Sequence, residues 1–261
     1  MAFEMFTIQL LIASFVLGAI VGSFLNVCIY RIPAGESIVS PPSRCPGCGS
    51  GIRWYQNIPI LSWVVLGGRC AACKQSISPR YPLIEGLNGL LFVLISHSFG
   101  LAWATLVYWL LAAALVVITF IDLDHQIIPD LISLPGILIG FACSFAVPWL
   151  GWLDSLLGVL LGGGLLLAIA WGYQVVAKRD GMGGGDIKLL AMIGAFLGWK
   201  AIFPVIFLAS LVGTVIGVPL MLLRRENSRL ALPFGPFLSL SALVFLLWGE
   251  PLIHWYLSFM K

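Results

Sequence analysis

Apolar runs at 6–29, 83–99, 101–121, 131–150, 156–177, 187–199, 201–223 and 235–257 take up most of this chain. A transmembrane helix needs about 20 predominantly apolar residues to cross a hydrocarbon core about 30 Å thick, and most of the runs are of that order. Only 10% of the 261 residues are charged, against about 25% in a soluble domain. The remaining surface must face lipid. A soluble enzyme is therefore excluded, and so is a disordered chain, which needs low hydrophobicity and high net charge. The 29 glycines suit close helix–helix packing in lipid better than flexible linkers. The expected fold is an all-α polytopic membrane protein of about eight transmembrane helices. Seven is the rival count, because 83–99 and 187–199 are short or carry polar residues. The first run has Glu4 as the sole charge before it and no small-x-small cleavage site after it, so it reads as an uncleaved anchor.

Orientation follows from Lys and Arg. The segment 31–82 holds Arg31, Arg44, Arg53, Arg69, Lys74 and Arg80; 178–188 holds Lys178, Arg179 and Lys188; 224–229 holds Arg224, Arg225 and Arg229. With eight spans all three segments share one side, which the positive-inside rule makes cytoplasmic, with both termini outside. Lys200 and Lys261 fall opposite. The net charge of +3 thus reflects topology. Cations scattered over loops without a stacking platform do not form a nucleic-acid site.

The segment 31–82 is the one sizeable soluble piece. It carries Cys45-Pro-Gly-Cys48 and Cys70-Ala-Ala-Cys73, a separation that fits a four-thiolate zinc site with two sulfurs from each tight turn. Two disulfides or two redox motifs are the alternatives. A cytoplasmic loop disfavours disulfides, and no βαβ pattern surrounds either pair. Four thiolates leave no open coordination position, so the metal's role is structural, a staple for a segment with little core of its own. Cys28 and Cys143 lie in apolar runs and read as small buried hydrophobes.

Eleven residues are acidic. Glu4, Asp154, Glu250, Glu36, Asp180 and Glu226 read as solvated. Five sit at membrane edges: Glu85, Asp122, Asp124, Asp130 and Asp186. Asp186 follows Gly183-Gly184-Gly185, where glycines permit close backbone approach and positive φ before a helix start, and one reading makes it an N-cap. Asp130, after Pro129, reads as a cap, and Asp124 as a hydrated neighbour. The sharper reading pairs Asp122 with Asp186, since intramembrane carboxylates are costly and usually functional. Two adjacent carboxylates cannot both ionise. One activates a water while the other donates a proton, which is aspartic-protease chemistry.

These motifs resemble those of the type IV prepilin peptidases, bifunctional leader peptidases and N-methyltransferases of bacterial pilus and type II secretion systems. The resemblance runs through Gly22-Ser23-Phe24-Leu25-Asn26-Val27, both cysteine pairs, Arg80-Tyr81-Pro82-Leu83-Ile84-Glu85 and Ile121-Asp122 to Pro129-Asp130. It continues in Gly183-Gly184-Gly185-Asp186, a match to the GxGD motif, and Pro233-Phe234-Gly235-Pro236-Phe237. It implies catalytic Asp122 and Asp186, supported by Gly183 and Gly185, and zinc held by Cys45, Cys48, Cys70 and Cys73. It further implies removal of a short basic leader from a prepilin or pseudopilin on the cytoplasmic side of the inner membrane. Methylation of the new N-terminal residue then follows, with S-adenosylmethionine as donor. The domains so implied are a first helix at 1–30, a methyltransferase-associated zinc loop at 31–82 and an aspartic peptidase domain at 83–261.

No strand–GxGxxG–helix unit supports the methyltransferase half; Gly162-Gly163-Gly164 lies in an apolar run and reads as helix packing. Gly68, Arg69 and Glu85 are the methyl-transfer candidates. Arg69 stands where lysine is frequent in the family, a change of geometry as well as charge position. Glu85 reads equally as the partner of an arginine near the cytoplasmic boundary. Pro233-Phe234-Gly235-Pro236 reads as a substrate-presenting break or as a plain helix start. Two rivals from other classes are a zinc-stapled membrane scaffold and a proton-coupled transporter using Asp122 and Asp186.

Overall fold

Each apolar run coincides with a helix in the computed structural model, which describes residues 2–178, 183–224 and 233–258. The helices are α1 (Ala2–Arg31), α2 (Leu61–Val65), α3 (Arg80–Phe99), α4 (Trp103–His125), α5 (Asp130–Cys143), α6 (Trp152–Ala177), α7 (Gly184–Leu197), α8 (Ile202–Arg224) and α9 (Gly235–Ser258). Short 3-10 turns lie at Trp54–Gln56 and Trp199–Ala201. Arg179, Asp180, Gly181, Met182, Arg225, Glu226, Arg229 and Lys261 fall outside the described residues.

Among the described residues, five helical stretches are long and apolar enough to cross a membrane: Thr7–Arg31, Arg80–Phe99, Trp103–His125, Trp152–Val176 and Trp199–Pro219. The other three of the eight expected spans are α5, α7 and α9, and two of them are short. Both α5 and α7 have 14 residues, a rise of about 21 Å at 1.5 Å per residue, short of the roughly 30 Å hydrocarbon core. The last helix, α9, has 24 residues, with Gly235–Gly249 as its described apolar stretch.

The chain divides into two units, Met1–Val117 and Ile118–Lys261, with the boundary inside α4. In the first, α1 lies along α3 with almost no space between backbones. A Cβ on Gly18 would stand 2.8 Å from Gly89 Cα, and one on Gly22 would stand 2.8 Å from Glu85 Cα. Small residues four apart permit this approach, which replaces the missing hydrophobic drive between helices in lipid. A polar ladder crosses the same seam. The Ser14 and Ser96 hydroxyls meet at 2.8 Å, Asn88 Nδ2 donates to the Gly18 carbonyl at 2.7 Å, and Asn26 Nδ2 donates to the Tyr81 carbonyl at 3.2 Å. The two motifs at 22–27 and 80–85 are therefore facing halves of one contact.

In the second unit α7 is the buried centre: Leu189 to Phe196 are all buried. Gly158 and Gly162 of α6 bring that helix onto α7, where a Cβ on Gly158 would strike the Gly194 backbone and one on Gly162 would stand 2.6 Å from the Leu190 carbonyl oxygen. Gly162 thus packs helices, as the sequence led us to expect. Ser155 Oγ donates to the Ala195 carbonyl at 2.7 Å in the same seam.

Candidate active site and metal centre

The four cysteines of the first unit converge. Their sulfurs all lie within 4.8 Å of one another, and Cys45 Sγ is 3.8 Å from Cys73 Sγ. Tetrahedral zinc with Zn–S near 2.3 Å places its sulfurs about 3.8 Å apart, so the quartet fits such an ion. All four are free thiols, at odds with a disulfide framework.

Two equivalent turns build the quartet. Cys45 N–H donates to the Ser50 carbonyl and Gly49 N–H to the Cys45 carbonyl, both at 2.9 Å. Cys70 N–H donates to the Gln75 carbonyl at 2.8 Å and Lys74 N–H to the Cys70 carbonyl at 3.1 Å. Isolated bridges Arg44–Gly51 and Arg69–Ser76 close the two turns. Each needs a left-handed residue after its second cysteine: Gly49 at φ +70°, and Lys74 at φ +62°, where glycine is the easier occupant. Backbone N–H groups of Cys73 and Ala72 push the Cys70 thiol down to about 6, and the Ser50 hydroxyl and N–H lower Cys48. The Gln75 N–H favours a thiolate at Cys73 too, but desolvation and the other sulfurs outweigh it and push Cys73 up to about 11. A bound dication removes that conflict, because it takes thiolates as ligands.

The methyl-transfer candidates have different surroundings. Gly68, at φ +66°, packs on Trp63, whose Nε1–H donates to the Ile77 carbonyl at 3.1 Å. Arg69 is exposed at the entry to the second turn. Glu85 is buried on α3; its Oε2 accepts the Ile60 N–H at 2.7 Å, and the Ser23 hydroxyl also bonds its carboxyl. Its partners are thus a backbone amide and a serine rather than an arginine.

In the second unit the two aspartates come together. Asp122, 4% exposed, lies in the last turn of α4, and Asp186 lies in the first turn of α7. Their carboxyls are close enough to interact electrostatically. The reading of Asp186 as an N-cap is corrected. The cap is Gly183, without a side-chain bond, and the helix begins two residues before Asp186. Asp186 N–H donates to the Gly183 carbonyl at 3.2 Å.

Glycine serves this site by space rather than by positive φ. Gly183 is extended at φ −69°. At Gly185 a Cβ would stand 2.8 Å from Ile128 Cβ, and at Gly235 it would stand 2.6 Å from Asp122 Oδ2 and 3.3 Å from Ile128 Cδ1. Gly235 opens α9 and donates its N–H to Asp122 Oδ2 at 3.0 Å. A helix N-terminus carries unpaired N–H groups and partial positive charge, so α9 is aimed at one carboxyl of the pair. Asp130 is corrected as well. It is the first residue of α5 after the cap Pro129, and its carboxylate takes both bonds from Lys188 Nζ, at 2.6 and 2.8 Å.

The comparisons follow this division. Residues 16–99 match the Bacterial Peptidase A24 N-terminal domain, and residues 109–218 match the Type IV leader peptidase family. A prepilin leader peptidase/N-methyltransferase of Aeromonas salmonicida (strain A449) is 37% identical over 94% of this chain and 92% of its own length. This chain belongs to the type IV leader peptidase family. A similarly named protein of Myxococcus xanthus (strain DK1622) is 46% identical over 82% of this chain and 66% of its own. One of Neisseria gonorrhoeae is 36% identical over 93% of each. No solved structure matches.

Against the leader-peptidase match, the Gly235 contact lies beyond residue 218, where that match ends. Sequence reasoning missed Gly235 as a partner of Asp122, and it missed Ile128, Lys188 and Ser23. The Pro233–Phe237 motif was the available signal for Gly235, but its partner lies 113 residues away. Ile128 sits in the motif beginning at Asp122 and carries no chemistry of its own. Cys28 is buried and Cys143 half-buried, in keeping with their reading as packing residues.

Proposed function

We propose that this chain is a membrane aspartic endopeptidase acting on type IV prepilin or pseudopilin substrates. It removes their leader at the cytoplasmic face of a bacterial inner membrane and then methylates the new N-terminal amine with S-adenosylmethionine. The observation that carries the peptidase reading is the Asp122–Asp186 pair with the Gly235 N–H on Asp122 Oδ2. The names of the relatives support both halves. The basic residues of 31–82 support the orientation through the positive-inside rule.

In this mechanism the Gly235 N–H and the α9 N-terminus favour negative charge on Asp122. Asp122 is then the base that takes a proton from the attacking water, and Asp186 holds the proton delivered to the scissile carbonyl oxygen. The water oxygen bonds to the carbonyl carbon, the C–N bond breaks, and the amine nitrogen leaves with a proton. Gly185 supports Asp186 by letting the first turn of α7 meet Ile128, and Gly183 by capping that helix and accepting the Asp186 N–H on its carbonyl.

Residues 31–82 form the methyltransferase-associated part, and 83–261 the peptidase. Cys45, Cys48, Cys70 and Cys73 hold zinc, which supplies a structural crosslink. The methyl donor, when bound, supplies an electrophilic methyl carbon to the amine nitrogen, its C–S bond breaking with the electron pair left on sulfur. Gly68, Arg69 and Glu85 are the residues assigned to orient donor or acceptor.

Leader release in liposomes, followed across pH, tests the dyad. One charged and one protonated carboxyl give a rate that falls on both sides of an optimum, and Asp122→Asn abolishes cleavage. Undiminished cleavage by Asp122→Asn would sink the proposal.

A further inference from the structure

A cavity of about 480 Å³ opens within the first unit between the last turns of α1 and the loop segments 38–43 and 54–59. Its volume falls in the roughly 300–1,000 Å³ range of small-ligand sites. On one side stand Ile20, Phe24 and Val27 of α1, and on the other Val39, Trp54 and Pro59. Trp54 and Val39 are 82% and 85% exposed, so two large apolar side chains stand uncovered at its rim.

Resting on the proposed methyl transfer, we infer that this cavity seats the acceptor: the apolar N-terminal residue of a processed helix that rises through the lipid along α1. Three observations choose this occupant over the methyl donor.

The first is continuity with lipid. Ile12, Val16, Ile20 and Phe24 are exposed at four-residue spacing, a ridge along α1 that runs into the cavity. A second apolar helix lying on that ridge delivers its end there. Arg31, the last residue of α1, also lines the cavity, as expected where a helix leaves the membrane.

The second is the lining chemistry. It is mostly apolar and holds no acidic side chain, so it offers no carboxylate to ribose hydroxyls. Its one cation is already engaged, because Arg31 donates to the Ser37 and Pro41 carbonyls at 2.8 Å each. Arg31 therefore pins the loop that forms the far wall.

The third is what stands behind the wall. Ser23 both lines the cavity and bonds the Glu85 carboxyl. That carboxyl holds the Ile60 N–H, and Ile60 is in a γ-turn at φ +62°, ψ −52° with Leu61 N–H donating to the Pro59 carbonyl at 2.6 Å. A β-branched residue rarely adopts positive φ, and such strain gathers at functional sites. Here it fixes Pro59 at the cavity edge, and it leaves the Ser23 hydroxyl, held from behind by the Glu85 carboxyl, as a polar group facing the cavity where a terminal amine arrives.

The test uses the full-length protein in liposomes with a leaderless apolar helical peptide whose first residue is benzoylphenylalanine. After irradiation, crosslinked residues are mapped by mass spectrometry. Adducts on Phe24, Val39 or Trp54 are expected whether or not donor is present; adducts confined to other residues overturn the inference. In parallel, Val39→Trp, which fills the cavity from an exposed loop position, should raise the acceptor KM for methylation at least tenfold. It should leave donor KM and leader cleavage within twofold. A raised donor KM with unchanged acceptor KM would make the cavity a donor site and overturn the inference. Native protein that crosslinks at the cavity yet transfers no methyl group would contradict the methyltransferase reading instead.

Discussion

Gly235 N–H donates to Asp122 Oδ2 at 3.0 Å, and a methyl group on Gly235 would stand 2.6 Å from that same oxygen. One backbone position therefore both bonds a catalytic candidate and limits the space around it. A Gly235→Ala substitution must displace the carboxyl, and misplacement by about 1 Å costs on the order of 10²-fold in rate. Leader cleavage by Gly235→Ala should fall by about that factor while its melting temperature stays near that of the parent. Cleavage within twofold of the parent would detach α9 from the mechanism.

The glycines before Asp186 separate by the space around them. Gly185 has Ile128 at 2.8 Å from its would-be Cβ, whereas at Gly183 the nearest atom stands 3.8 Å away. Gly185→Ala should lose at least tenfold in cleavage rate, and Gly183→Ala should stay within about twofold. Equal losses at both positions would point to backbone freedom rather than space as the requirement.

Lys188 and Asp130 join α7 to the start of α5, with side chains 36% and 57% exposed. Ion pairs this accessible are worth about 0–1 kcal/mol. A double-mutant cycle with Lys188→Met and Asp130→Asn, read by thermal unfolding in detergent, should give a coupling of about 0.5 kcal/mol. A coupling above about 2 kcal/mol would contradict this and make the pair a major tie between α5 and α7.

Metal removal should separate the two activities. A four-thiolate cage leaves no open position for catalysis, so a zinc chelator should lower stability and methylation before it alters leader cleavage. Metal analysis should find one zinc per chain, lost in Cys45→Ser. Metal-free protein that stays stable and active in both reactions would contradict the structural role.

Much of this was legible in the chain because its signals are local. Apolar length marked all eight helical runs, and C-x-x-C spacing marked the quartet, since each turn is built within eight residues, from Arg44 to Gly51 and from Arg69 to Ser76. The contacts missed were those that spacing does not encode. Gly235 and Asp122 are 113 residues apart, and Lys188 and Asp130 are 58 apart. Asp186 resembled a cap because aspartate suits that position, but α7 begins two residues earlier with Gly183 as its cap. Apolarity alone did not reveal that α5 and α7 stop at 14 residues.

The central claim is that Asp122 and Asp186 act together on a prepilin that is then methylated. The most direct measurement is the intact mass of a prepilin incubated in liposomes with this protein and S-adenosylmethionine, beside the Asp186→Asn variant. The account predicts product lacking its leader and carrying one methyl group with the native protein, and unchanged substrate with the variant. Leader loss that persists in the variant would contradict it, as would a substrate left intact by the native protein after its insertion in the membrane has been verified.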